Sequence, residues 1–371
     1  MKVLFLSNSI GGLVHFRLDL MKALCDRGDK VYILSPLEQD ISLKPIIDLG
    51  CDYIQIEMQQ RGTNPLSDIK LLRTYKKFLK ELRPDVVLSY TVKPNIYGSV
   101  ACRQLGIPII ASVTGLGMAI VGRKFLQKIM IFLFKWGFKK TDYVFFQNNN
   151  CESFFIDHNI KPKHSAIVAG SGVNINHFAF ENYPENEHEI VFLYIGKILV
   201  DKGSQHLFDT IEYCHSHYPH VHFHIVGPKD SPSLSDRVDE LSKKGWACFY
   251  GKQEDVRPFI RQAHCIIHPS YHEGMSNALL EGSATGRPAI ASNISGCKEI
   301  VDDGVTGLLC EPKSSQCLID KVEEFIALPY DVRKQMGINA RNKVEKEFDR
   351  EKVVATYITQ IDRLGKKLKR R

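Results

Sequence analysis

The residues best suited to chemistry lie in the run HPSYHEGMSNALLEGSATGRPAIAS (268–292). A strand-like stretch closes at Pro269, Glu273 follows, and Gly274 frees the backbone before a helix that opens near Ser276. Glu281 comes eight positions after Glu273, about two helical turns on. A carboxylate near the mouth of a cleft can accept bonds from sugar hydroxyls, and one further down can grip both hydroxyls of a ribose. Gly274, Met275, Ser276 and Asn277 would present backbone N–H groups at the helix start, a natural seat for a diphosphate. The plainer alternative, a loop charge and a solvated helix charge, stays open for the two glutamates taken alone.

A second group is GKILVDKGSQHL (196–207), where a strand ends at Gly196 and two lysines, Lys197 and Lys202, flank a loop before a helix. Lysine is a compact charge that can neutralise a departing diphosphate, although solvated loop lysines are commoner. A third is SNSIGGLVHFRLDL (7–20), where Gly11 and Gly12 would let the chain pass close to an acceptor or phosphate. This run is not G-x-G-x-x-G, so it is weak by itself. His15 follows those glycines near the expected cleft, with a structural role as its plainer reading. FYGKQEDV (249–256), with Gly251, and SGCKEIVDDGVTGLL (295–309) place turns at strand ends, where a base or phosphate could rest.

These residues need elements to hold them. Short β-branched runs at 3–8, 30–35, 52–57, 85–90, 107–113, 142–147 and 164–169 read as buried strands, separated by helical periodicity such as 70–82. The pattern restarts with strands at 190–196, 222–227, 247–251, 265–269 and 288–292, and helices at 203–217 and 276–285. From about Pro329 the chain reads as helical and charged. Strand alternating with helix predicts an α/β fold: two Rossmann-like, doubly wound parallel-sheet domains with a ligand cleft between them. The expected divisions are an acceptor-binding domain at 1–180, a polar linker at 181–189 (ENYPENEHE), a donor-binding domain at 190–348 and a C-terminal helix with a basic tail at 349–371.

At 371 residues two cores are expected. Hydrophobic residues make up 44% and charged residues 25%, an ordinary globular composition. No stretch reaches membrane-spanning length, and Met1 to Ser9 reads as a strand rather than a signal peptide. The ten cysteines show no zinc-ligand spacing and are expected to be reduced, in a cytoplasmic protein. The net charge of +7 divides into +9 for 1–180, −8 for 181–362 and +6 for the tail RLGKKLKRR. No nucleic-acid-binding pattern accompanies the basic regions, so an anionic membrane is the expected partner and nucleic acid is not.

Together these segments resemble glycosyltransferase family 4, of the two-domain architecture called GT-B. The resemblance spans essentially the whole chain and is most specific from Gly196 to Leu309. The family's two glutamates eight apart match Glu273 and Glu281. Its basic loop matches Lys197, Lys202 and Gly203, with Lys197 at a place often held by arginine. GCKEIVDDGVTGLL and SGVNINHF (171–178) fit as well. The resemblance implies retaining transfer from a nucleotide diphosphate sugar, most commonly of uridine, with no bound metal or other cofactor. Within the family, SYTVKPNIYGSVACRQLGIPIIASVTGLG (89–117) looks like bacterial enzymes that assemble capsule, O-antigen or lipid-linked oligosaccharides, which implies a polyprenyl-linked or glycan acceptor. Many members carry a histidine after the strand corresponding to 107–113. Here Val113, Thr114 and Gly115 stand there, and a threonine hydroxyl cannot replace an imidazole base at neutral pH.

VGRKFLQKIMIFLFKWGFKK (121–140) would gather Lys124, Lys128, Lys135 and Lys139 within about 60° of a helix, beside a broad aromatic face. Such a helix suits the headgroup layer of a membrane and would make the protein peripheral at the inner face of the cell membrane. It equally suits a helix packed on its own sheet with its lysines in water. Two other functions remain open at this point: a nucleotide-sugar epimerase of similar fold, and a non-catalytic nucleotide-sugar-binding partner subunit.

Overall fold

In the computed structural model the described residues are 1–59, 64–116, 124–186 and 188–369, with the side chains of 124, 125 and 367–369 left outside the description. Seven apolar runs form one parallel sheet: β1 (Lys2–Leu6), β2 (Lys30–Ser35), β3 (Asp52–Gln55), β4 (Val86–Tyr90), β5 (Ile109–Val113), β6 (Tyr143–Phe146) and β7 (Ser165–Ile167). Their order is β3-β2-β1-β4-β5-β6-β7. β4, β5 and β6 are buried at every position because helices cover both faces of the sheet. Helix Ile10–Asp26 packs on one face, through Leu13, Leu20, Met21 and Leu24. Helices Pro65–Leu82, Val92–Leu105, Lys124–Phe138 and Asn149–Asp157 cover the other.

The second sheet is also parallel: β8 (Ile190–Ile195), β9 (Val221–Val226), β10 (Cys248–Phe249), β11 (Cys265–His268), β12 (Ala289–Ser292) and β13 (Gly307–Cys310), in the order β10-β9-β8-β11-β12-β13. Every strand read from the sequence is present. β13 was not anticipated: its four residues, GLLC, follow a glycine- and aspartate-rich stretch that reads as turns.

The chain forms two compact units, Met1–Ser171 with Glu351–Arg371, and Gly172–Arg350. The division therefore falls at 171 rather than at 180. Residues 172–180 pack with the second unit, where Arg341 Nη1 donates to Ile175 O and Phe178 O. Nor is the segment from 181 a free tether. The fully buried Arg287 donates to Glu181 O at 3.0 Å and Asn182 O at 2.9 Å, and Tyr183 donates its hydroxyl to His264 O at 2.9 Å.

The last helix, Arg350–Lys369, is likewise no appendage. Val353, Tyr357, Ile361 and Leu364 are buried among the side chains of β1, β4 and β5. The Tyr357 ring lies 4.6 Å from that of Phe145, and its hydroxyl 2.8 Å from Ser112 Oγ. The first unit thus holds 30 basic against 16 acidic residues, a net +14, and the second 19 against 26, a net −7.

Candidate functional site

The chemistry-bearing loops of the second unit gather at the carboxyl ends of its strands. Gly196 follows β8 and donates its N–H to Val226 O at 2.9 Å; Gly227, after β9, donates to Gly251 O at 2.8 Å. Gly196 and Gly251 therefore belong to one edge of the sheet. Past Gly196 the chain makes a short turn, Val200–Lys202, that ends at Gly203 with φ +69°. A Cβ there would collide with the Pro269 carbonyl, so glycine lets this loop press against the end of β11. Tyr271 N donates to Asp201 O at 2.8 Å and fastens the two loops together.

That docking lays Lys202 on Glu273, with Nζ 2.5 Å from Oε1. His268, the last residue of β11, places Nε2 3.0 Å from the same oxygen and 3.1 Å from Ser276 Oγ. Burial pushes the Glu273 carboxyl up, but His268 and Lys202 outweigh it and hold the group down at about 2. Glu273 is therefore anionic throughout the neutral range.

Ser276 caps helix Asn277–Ala284, its Oγ accepting from Leu279 N. Glu281 lies on that helix. It keeps some solvent access, yet burial pushes its carboxyl up to about 7, with Arg350 pulling the other way. The two glutamates are thus driven in opposite directions, one paired and ionised, the other poised near neutrality.

Of the four successive N–H groups expected to seat a diphosphate, not all are free to do so. Ser276 N is committed to Gly296 O at 3.0 Å. Met275 and Ser276 are both buried. The 295–309 run accordingly supports this loop from behind: Gly296 N donates to Glu299 Oε2 at 2.6 Å. Lys197 is not brought to Glu273. It is half-exposed and paired with Asp230 at 2.7 Å. The sequence reading missed His268 and Asp230. The one clue to His268 was a polar residue ending an apolar strand immediately before the loop.

In the first unit, Gly11 and Gly12 open helix Ile10–Asp26 after β1, and Ser9 Oγ accepts from Gly12 N at 3.0 Å. His15 is exposed on the same helix, and Thr114 is half-buried directly after β5. All four lie at the carboxyl edge of the first sheet, where strand order reverses about β1 and β4 and a parallel α/β sheet takes ligand.

No described helix is long and apolar enough to cross a membrane. Helix Lys124–Phe138 instead divides its apolar residues. Met130, Phe134 and Phe138 are buried in the core, whereas Ile129, Phe132 and Trp136 are exposed, Phe132 by 67%. Lys128, Lys135 and Lys139 are exposed too. Residues 121–123 and the side chain of Lys124 lie outside the described residues.

Residues 2–148 match the family model described as glycosyl transferase 4-like, and residues 176–343 match glycosyl transferases group 1. A Campylobacter jejuni protein, N,N'-diacetylbacillosaminyl-diphospho-undecaprenol alpha-1,3-N-acetylgalactosaminyltransferase, is 26% identical over 386 aligned positions, spanning 99% of this chain and 100% of its own. Escherichia coli UDP-Gal:alpha-D-GlcNAc-diphosphoundecaprenol alpha-1,3-galactosyltransferase is 25% identical over 310 positions, 78% of each chain. Among solved structures, Anabaena HepE in complex with UDP superposes with a TM-score of 0.78 at 18% identity, over 98% of this chain and 100% of that one. At that identity the likeness is one of fold, which is GT-B.

Proposed function

For a chain that belongs to the family 4 glycosyltransferases of GT-B fold, and so moves a sugar, we propose a uridine diphosphate sugar as donor, a lipid-linked glycan as acceptor and retention of anomeric configuration. The observation that carries it is the cluster of Lys202, Glu273 and His268 at the carboxyl edge of the second sheet, beside the start of the helix that carries Glu281.

Glu281 accepts hydrogen bonds from the two ribose hydroxyls, and its ionised form is favoured when those donors arrive. The N–H groups around Gly274 and Asn277, with Gly196 and Gly251, lie against the nucleotide and diphosphate. Glu273 holds hydroxyls of the transferred sugar and is kept anionic by its partners. Lys202, drawn towards the leaving diphosphate, stabilises the charge that develops as the glycosidic bond breaks. Lys197 reaches the same phosphates by leaving Asp230. Transfer then proceeds without a metal cofactor. Thr114 offers no imidazole base, so the departing phosphate oxygen takes the acceptor proton on the face where the new bond forms. Gly11, Gly12 and His15 frame the acceptor side.

The E. coli relative is named for UDP-galactose, and both relatives are named for undecaprenyl diphosphate acceptors. These names support the donor and acceptor classes. The first unit, with its net +14 and its exposed Phe132, Trp136, Lys128 and Lys135, is proposed to rest on the anionic inner face of the cell membrane, where its lipid-linked acceptor resides.

The test is transfer of radiolabelled hexose or N-acetylhexosamine from UDP to a bacterial lipid extract, in the presence of chelator. Labelled lipid whose new linkage keeps the donor's anomeric configuration is the expected product. Failure to bind UDP, or an inverted linkage, would overturn the corresponding part.

A further inference from the structure

At the opposite end of the first sheet, where β5, β6 and β7 begin, lies a pocket of about 220 Å³ that sugar transfer does not use. Ser99 and Thr141 line it, 1% and 2% exposed, and neither hydroxyl has a hydrogen-bond partner among the described residues. A buried hydroxyl left unpaired is destabilising, so two at one cavity point to acceptors supplied from outside the chain.

The charges around it have the matching sign. Arg103, Lys140 and Lys163 line the pocket against a single acid, Asp142. Asp142 is already committed: it accepts from Lys163 Nζ at 2.6 Å and from Ile109 N at 3.2 Å. Arg103 is anchored by Nη1, which donates to Gly137 O and Lys139 O. Lys140, exposed and held at φ +61°, has no ion-pair partner among the described residues. The pocket therefore offers hydroxyl, guanidinium and ammonium donors with a surplus of two positive charges. Its complement is a group rich in acceptors and negative charge, and a phosphate has both.

We propose that this pocket is a second binding site, for the phosphate of a phosphomonoester, and that it is separate from the donor site. Ser99 and Thr141 donate from its floor, and Lys140 and Arg103 close on the phosphate oxygens. The volume exceeds that of a phosphate alone, which leaves room for part of the group that carries it. That carrier is either a soluble sugar or a lipid headgroup; the phosphate chemistry is common to both.

The test uses the full chain with UDP at saturation, so that the donor site is filled. Inorganic phosphate and glucose 1-phosphate should raise the melting temperature at low salt, and glucose should not. The Ser99→Ala, Thr141→Val double variant should melt no lower than wild type without ligand, because no bond is lost, yet bind phosphate at least tenfold more weakly. Lys140→Gln, a change at an exposed side chain, should weaken binding and flatten its salt dependence. UDP affinity should be the same in all three proteins, so failure of the donor reading would be seen separately. Vesicles of phosphatidylcholine with and without phosphatidic acid distinguish the carriers. Capture by phosphatidic acid that soluble phosphate reverses identifies a headgroup, and soluble binding without that capture identifies a sugar phosphate. No phosphate-dependent stabilisation of wild type, or phosphate binding by the double and Lys140 variants as tight as that of wild type, would overturn the site.

Discussion

Lys202 and Glu273, 71 residues apart in sequence, meet with Nζ 2.5 Å from Oε1, and their contact is held by the collision-free fit of Gly203 against the Pro269 carbonyl. The ammonium neutralises the carboxylate and His268 adds a second bond to the same oxygen. In the proposed donor site an entering donor would compete for this lysine, and the ion pair would orient both groups before substrate arrives.

Removing either partner should therefore have distinct effects. Lys202→Ala should weaken UDP-sugar binding by roughly 1–3 kcal/mol, as for loss of a charge-assisted contact. Glu273→Ala should lower kcat more than it lowers affinity for free UDP, because its proposed contact is to the sugar. Calorimetric UDP binding beside steady-state turnover separates the two. Equal losses of UDP affinity in both variants would move Glu273 off the sugar.

Glu281 makes the site sensitive to pH. Its carboxyl is raised from the ordinary 4.5 to about 7, so the folded state holds a proton that the unfolded state gives up. The stability it contributes is present below about pH 4.5 and is lost as pH rises through 7. Glu281→Gln should then make the ligand-free protein more stable at pH 8, by up to ~3 kcal/mol, while weakening UDP binding. Wild-type UDP affinity should climb between pH 6 and 8 as the carboxylate forms. Urea melts and titrations across that range are the measurement, and a flat affinity profile in wild type would remove Glu281 from the ribose. Glu273 runs the other way: held at about 2, it contributes stability above pH 4.5 that is lost only as pH falls towards 2.

Gly203→Ala tests the loop docking. Its φ of +69° and the Pro269 carbonyl both oppose a Cβ, so the substitution should cost more than ~1 kcal/mol. It should also weaken donor binding by displacing Lys202. Unchanged stability with unchanged UDP affinity would mean that the loop position does not depend on this close approach.

The membrane-facing role proposed for helix Lys124–Phe138 predicts a salt-sensitive attraction. Changing Lys124, Lys128, Lys135 and Lys139 to Gln removes four charges, each worth ~1 kcal/mol near an anionic surface. Sedimentation with anionic liposomes should fall steeply in the variant, and in wild type as salt is raised. UDP affinity should not change. Wild-type protein that stays in solution with such liposomes at low salt would leave Phe132 and Trp136 without the lipid partner proposed for them.

Periodicity alone determined every strand of the two sheets but β13, because a strand covered on both faces must be written as a continuous apolar run, as VVLSY and YVFF are. The eight-residue spacing of Glu273 and Glu281 was equally legible, since a loop followed by one short helix is a local matter. Tertiary structure decided what depends on partners distant in sequence. β13 exists because Gly307–Cys310 finds β12 to pair with, not because GLLC is strongly patterned. The first unit is completed only by the last helix, through Tyr357, and the segment after Ser171 joins the second because Arg287 and Arg341 hold its carbonyls. The opposite ionisation of two identical side chains was decided the same way: Glu273 meets Lys202 and His268 across the fold, whereas Glu281 is enclosed with no such pair among the described residues, and no spacing within a sequence encodes burial.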